Sequence, residues 1–177
     1  ASIRNGILPT FSYDDVVHID INGANAIQKR AVSLYLEKPD ETQIICATTK
    51  MVNDINKRCV ALNNSKPLKV FIEEANHYLD TEFKLHDKVM CCSNLYAHDL
   101  MNGSIGTICQ VYNVMKIINN DDNDEPLSSF GKILWDDGIE REISLDIINA
   151  LRHAYAMTIH KSQGSQFKQV IIVLDKA

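Results

Sequence analysis

Two textures of apolar and polar positions divide this chain. Up to about residue 80, helical and strand periodicities alternate. "YDDVVHID" (Tyr13 to Asp20) holds a short apolar strand, and in "NGANAIQKRAVSLYLEKPD" the residues Ala26, Ile27, Ala31, Leu34 and Tyr35 recur at helical spacing until Pro39. "TQIICAT" reads as a strand of the kind buried in a parallel sheet. Thr48 or Thr49 is placed to cap the next helix, which carries Met51, Val52, Ile55, Cys59 and Leu62 on one face. "LKVFIE" is a further strand. This alternation predicts an α/β layer architecture with parallel strands.

Beyond residue 80 the period shortens. "FKLHDKVMCCSN", "GTICQVYNVMKII", "FGKILWDD" and "IEREISL" read as strands, separated by Asn102-Gly103, by the acidic stretch "NNDDNDEP" and by "DDG" at 136 to 138. Several short strands with turn signals and no long helix predict a small antiparallel barrel. The α/β texture returns at "YAMTI" and "VIIVL". The sequence therefore predicts an α/β domain over 1–80 and 151–177, interrupted by a barrel over 83–150.

Composition changes this picture little. The 177 residues are 45% hydrophobic and 23% charged, values ordinary for a globular protein. We find neither a run of roughly 18 apolar residues nor a signal-peptide pattern, and read the chain as cytoplasmic, without membrane contact. The five cysteines, Cys46, Cys59, Cys91, Cys92 and Cys109, contain no C-x-x-C pair, which argues against a disulfide framework or a zinc site. His86 and His98 near Cys91 and Cys92 make poor metal ligands, because adjacent strand cysteines point to opposite faces. The net charge is −5, but Asp121, Asp122, Asp124 and Glu125 account for four of those charges, leaving −1 elsewhere. That balance excludes a broad basic footprint and permits a narrow phosphate contact.

The candidate chemistry lies in "AYAMTIHKSQGSQF", residues 154 to 167. A buried strand delivers Thr158 and His160 to its C-terminal end, where open α/β sheets bind ligands, and Gly164 permits a tight turn that exposes backbone N–H groups. Thr158 and Ser162 supply hydroxyls, Lys161 a cation, and His160 and Gln163 ring and amide groups suited to an anion. Taken singly, each suits a polar loop capping a sheet. Six together point to a phosphate-bearing ligand.

This cluster resembles motif V of superfamily 1 helicases of the RecD type. "FKLHDKVMCCSNLYAHDLMNGSIGTI" looks like the start of that family's SH3-like barrel, "ILWDDGIEREISLDIINALRHAYAMTIHKSQG" like its return to the sheet, and "IICATTKMVNDINKRC" like the strand and helix before it. The resemblance implies a second RecA-like motor domain interrupted by an SH3-like barrel. It further implies that Thr158, His160 and Lys161, with Asn94 and Asn102 on the barrel's first loop, lie beside single-stranded DNA. Ser162, Gln163 and Gly164 would link that contact to the nucleotide cleft, and Gln166 stands where the family usually carries a ribose-binding Glu. His86 replaces a usual Gly, and Ser104 a usual Asp.

The implied parent is a DNA helicase using ATP and Mg²⁺, running 5′ to 3′, with roles in DNA repair or recombination. Its partners would be single-stranded DNA and an N-terminal RecA-like domain of the same polypeptide; a place among other subunits of a recombination or nuclease complex, as in an exodeoxyribonuclease V alpha-subunit-like enzyme, action alone and fusion to a relaxase all stay open. The 177 residues contain no G-x-x-x-x-G-K-[ST] phosphate loop and stop before an arginine-bearing motif VI, so the isolated chain is expected to be an inactive fragment with no complete catalytic set and no cofactor of its own. The barrel, beside the DNA path, is expected to turn translocation into strand separation, with Lys84, Lys88 and Lys116 as its phosphate contacts. Trp135 is expected in the barrel core rather than stacked on a base; Tyr112 is a second candidate for such stacking. Two alternatives remain: a stand-alone nucleic-acid-binding or regulatory module, and, less well supported, a hydrolase using His160 and Ser162, which lacks G-x-S-x-G and an orienting carboxylate.

Overall fold

The computed structural model describes residue 19 and residues 21–72, 76–118 and 127–174. The expected strand at 13–20 and the acidic stretch at 119–126 lie outside them, Ile19 apart. Helix α1 (Ala24–Glu37) buries Gln28, Ala31, Val32 and Tyr35. Ala26 is exposed and Gln28 takes its place facing inward, because the Gln28 amide has partners across the helix pair: it accepts from Arg58 Nε at 2.8 Å and donates to Asp54 at 3.2 Å. Strand β1 (Thr42–Cys46) follows, then α2 (Thr49–Leu62), whose first turn is capped by the Thr48 hydroxyl accepting from Met51 N–H at 3.3 Å. Met51, Ile55 and Cys59 are buried as a stripe, whereas Leu62, in the last turn, is exposed.

β1 forms the centre of a three-stranded parallel sheet between β9 (Ala156–Thr158) and β10 (Gln169–Val173), with Ile44 opposite both Ala156 and Ile171. One face of this sheet packs on α1 and α2 through Ile44, Cys46, Ala156 and Val173. All three strands point the same way, so Cys46 and Thr158, paired at one level, mark a common C-terminal edge.

The antiparallel part begins earlier than its spacing suggests. Strand β2 (Pro67–Ile72), expected in the α/β domain, pairs antiparallel with β3 (His77–Lys84), and its Leu68 and Val70 join the core of the inserted region. "FKLHDKVMCCSN" is two strands, not one: β3 ends at Lys84 and β4 (Lys88–Cys91) begins after a turn in which His86 takes φ +70°. The long β5 (Ile105–Ile118) pairs with β4 and with β6 (Leu127–Trp135), which pairs with β7 (Glu140–Glu142). "IEREISL" also divides. Ser144 caps a six-residue helix, α3 (Leu145–Ala150), by accepting from Ile147 N–H at 3.4 Å, and Ile147 and Ala150 turn inward at the i, i+3 spacing of a helix. Strand β8 (Leu151–His153), assigned by sequence to the α/β part, is hydrogen-bonded to β4. The hand-over to the parallel sheet falls between β8 and β9.

The ladders thus form a two-stranded sheet, β2-β3, and a five-stranded sheet, β7-β6-β5-β4-β8, wrapped around one core of Leu68, Phe83, Ile108, Phe130, Ile133, Trp135 and their neighbours. Trp135 is 2% exposed and belongs to that core. Close approach of β5 and β6 requires glycine: a Cβ on Gly131 would run into the Gln110 carbonyl, at a point where the register slips. A smaller cluster, Met90, Ile105, Ala154 and Met157, joins the two halves. Among the described residues no helix is long and apolar enough to cross a membrane.

Candidate nucleic-acid interface

The polar cluster sits at the C-terminal edge of the parallel sheet. Thr158 closes β9 half-buried, and His160–Ser162 forms a single 3-10 turn. Ser162 spends its hydroxyl on the Ile159 carbonyl at 2.8 Å, while its own carbonyl accepts from Ser165 N–H at 3.1 Å. Between them Gln163 has φ −63° and ψ 130°, and Gly164 has φ +87°, the geometry of a type II turn that needs glycine at its third position. The sequence calls for this turn because a β-carbon at Gly164 would be strained by backbone conformation alone.

A second loop approaches from the antiparallel part. Asn94 accepts from Asn102 N–H at 2.8 Å through Oδ1, and residues 101–104 form a turn closed by Ser104 N–H on the Met101 carbonyl at 3.1 Å, with Gly103 at φ +101°. Asn102-Gly103 is therefore the last turn of the long β4–β5 connection instead of a two-residue hairpin. Lys161 Nζ donates to Cys92 Sγ at 3.3 Å, tying the two loops together.

Between the loops lies an open cleft of about 550 Å³, lined by His160, Lys161, Gln163, Gly164 and Ser165 on one side and by Asn102, Gly103, Ser104 and Asp136 on the other. Of the residues singled out by sequence, His160, Lys161, Gln163, Gly164 and Asn102 line it. Asn94 stands behind Asn102. Thr158, Ser162 and Gln166 are not among the lining residues: Thr158 is in the strand, Ser162 holds the turn, and Gln166 is exposed beyond it.

Two expected phosphate contacts are otherwise engaged. Lys84 Nζ donates to the carbonyls of Asn63 at 2.6 Å and Val60 at 3.4 Å, where it satisfies the C-terminal end of α2. Lys88 Nζ donates to the Thr42 carbonyl at 3.1 Å, and burial lowers its pKa to about 8. Lys116 is exposed over the Tyr112 ring, 4.0 Å from its centroid, and Tyr112 itself is 8% exposed with its hydroxyl on Glu142. Among the described residues no group of three or more His, Cys, Asp or Glu is placed to hold a metal ion.

The sequence reading gave no role to Asp87, which centres a polar junction at the other end of β4 from the cleft. Asp87, fully buried, accepts from Tyr155 Oη at 2.6 Å, Asn63 Nδ2 at 2.6 Å and Lys84 N–H at 2.7 Å, and pairs with His153 Nε2 at 3.1 Å. Burial alone would push its pKa up; the bonds from His153, Tyr155, Asn63 and Lys84 outweigh it and hold the carboxyl below its usual range. Asn56 on α2 completes the anchoring of β9, donating to the His153 and Ala156 carbonyls and accepting from Ala156 N–H at 2.8 Å. The available signal was weak: Asp87 stands between His86 and Lys88 just ahead of the apolar "VMCC", and His153 and Tyr155 flank Ala154 in a distant stretch.

Comparison with known proteins adds the following. A family model described as a UvrD-like helicase C-terminal domain matches residues 153–177, the stretch that holds the 3-10 turn and β10. Among solved structures, an unliganded Pif1 from Bacteroides sp is 20% identical, covering 75% of this chain and 46% of its own, at TM-score 0.45. A Bacteroides Pif1 helicase in complex with ADP-AlF3 and ssDNA is 18% identical over 85% of this chain and 39% of its own, at TM-score 0.48. The Pif1 helicase of Candida albicans is 17% identical over 84% of this chain and 46% of its own, at TM-score 0.46. The chain spans less than half the length of these structures.

Proposed function

We propose that this chain is the C-terminal motor-domain portion of a superfamily 1 DNA helicase of the RecD type, an α/β RecA-like layer carrying an SH3-like barrel. The observation that carries the reading is the cleft: the turn after β9, within the helicase-matching stretch, faces the Asn102–Ser104 loop and lines the cleft with an imidazole, a side-chain amide and a cation whose one hydrogen bond among the described residues is an exposed contact with the Cys92 thiol. A narrow cleft with one Lys, one His and turn amides suits a phosphodiester backbone passing through. Single-stranded DNA is the partner we assign to it, with Thr158, His160, Lys161, Asn94 and Asn102 forming or supporting the contact. Ser162, Gln163 and Gly164, on the turn itself, and Gln166, just beyond it, are assigned to coupling.

ATP and Mg²⁺ belong to the parent protein. A phosphate loop is needed to cradle the nucleotide, and none occurs in these residues, so they do not form a nucleotide site by themselves. The barrel would act as a guide that couples 5′ to 3′ translocation to strand separation.

The test is made in the full-length protein. Single-stranded DNA should stimulate ATP hydrolysis, and Lys161→Ala or His160→Ala should raise the DNA concentration giving half stimulation by about fivefold or more, leaving basal turnover unchanged. A full reading frame without a phosphate loop would overturn the motor and favour a strand-binding module. Variants that lose nucleotide binding but keep DNA binding would overturn the assignment of the cleft.

A further inference from the structure

The two walls of the cleft differ in charge. His160 and Lys161 stand on the sheet side, and Asp136 is the sole carboxylate among the lining residues, on the opposite side. Asp136 and Asp137 occupy one turn and are used differently. Asp137 accepts from Arg141 Nη2 at 2.7 Å and from Ile139 N–H at 2.9 Å, so it is committed to holding the turn. The Asp136 side chain is exposed, makes no hydrogen bond or ion pair among the described residues and feels the charge of Arg141 only at longer range, while its backbone N–H, donating to the Ile105 carbonyl at 2.8 Å, fixes where the carboxylate starts.

A carboxylate on the wall of a strand-binding cleft repels phosphates. A single strand escapes that repulsion in one orientation, with phosphates along Lys161 and His160 and base edges toward Asp136. Because an ionised carboxylate only accepts, it discriminates among those edges. Guanine presents N1–H and its 2-amino group side by side, a match for two carboxylate oxygens. Adenine and cytosine set one amino group next to an acceptor nitrogen, and thymine sets its single N–H between two carbonyls, so each brings a lone pair against the carboxylate. Base edges of single strands are open to this kind of contact.

We propose that Asp136 reads guanine on a single strand held in this cleft. The inference rests on the assignment of single-stranded DNA to the cleft and adds a preference that the phosphate contacts do not supply.

The experiment compares three 12-nucleotide DNA strands, dT12, d(TTG)4 and d(TTI)4, and the RNA strand rU12, by fluorescence anisotropy with the 177-residue chain at low ionic strength in lithium buffer. Inosine keeps N1–H and lacks the 2-amino group. The parent chain should bind d(TTG)4 about fivefold more tightly than dT12, with d(TTI)4 in between. Asp136→Ala should bring d(TTG)4 to the affinity of dT12 while dT12 binding stays equal or tightens, and Asp136→Asn, which keeps the size, should do the same. Equal binding of the three strands by the parent, or a guanine preference that survives Asp136→Ala, overturns the inference and leaves the cleft assignment standing. A variant that instead alters the ratio of rU12 to dT12 binding assigns Asp136 to the ribose 2′-hydroxyl and likewise overturns it. A parent chain that binds none of the strands overturns the cleft assignment, and this inference with it.

Discussion

Asp87 and Asp136 are the same side chain in opposite circumstances. Asp87 is buried at the junction of α2, the β3–β4 turn and the return to the parallel sheet, where Asn63, Lys84, His153 and Tyr155 meet its two oxygens. Asp136 is exposed on the cleft wall with its carboxylate uncommitted. The junction spends its polar groups on the protein; the cleft leaves its own for something else. The contrast extends to the lysines, since Lys84 is consumed by carbonyls of α2, whereas Lys161 touches a thiol and is otherwise open to solvent. Partnership, more than residue type, separates the buried junction from the open cleft in this molecule.

The comparison breaks most visibly at Asp87. Asp87→Ala strands several buried donors at once, and we expect a loss of about 3–5 kcal/mol of unfolding free energy, measured by urea denaturation. A loss under about 1 kcal/mol would mean that the junction does not hold the two halves together.

Acid acts on the same group more gradually. Its folded pKa lies below the unfolded value, so its contribution is complete above about pH 4 and is lost as pH falls through the folded value. Thermal unfolding of the parent should therefore drop steeply below about pH 4, and Asp87→Asn should flatten that drop while starting from a lower plateau. A parallel pH dependence in parent and variant would refute the account.

His86 tests the geometry of the junction's turn. It is an exposed residue at φ +70°, a region where a β-carbon costs about 1 kcal/mol, and its N–H donation to the Ile108 carbonyl at 2.8 Å does not depend on the side chain. His86→Gly should stabilise the chain by up to about 1 kcal/mol. Destabilisation would show that the imidazole itself is used.

The smallest effect belongs to the cleft. Lys161→Ala, expected to weaken strand binding, should shift stability by no more than about 0.5 kcal/mol, because among the described residues its one hydrogen bond is an exposed contact with Cys92. A larger loss would make Lys161 part of the scaffold.

The sequence by itself determined what is local. Helical periodicity placed α1 and α2, Thr48 announced its cap, Gly164 announced its turn, and the crowding of polar residues after a buried strand marked the C-terminal sheet edge, because each signal depends on neighbours a few positions away. The tertiary structure decided the rest. An apolar run such as "LKVFIE" suits either a parallel or an antiparallel sheet, and only the available edge of β3 and the core around Phe83 settled where β2 went. Asp87 meets Tyr155 across 68 positions, and Asn102 and Asp136 meet the His160 turn only after the antiparallel strands have folded back. Those encounters are set by chain closure and packing over long separations, which no short-range pattern encodes.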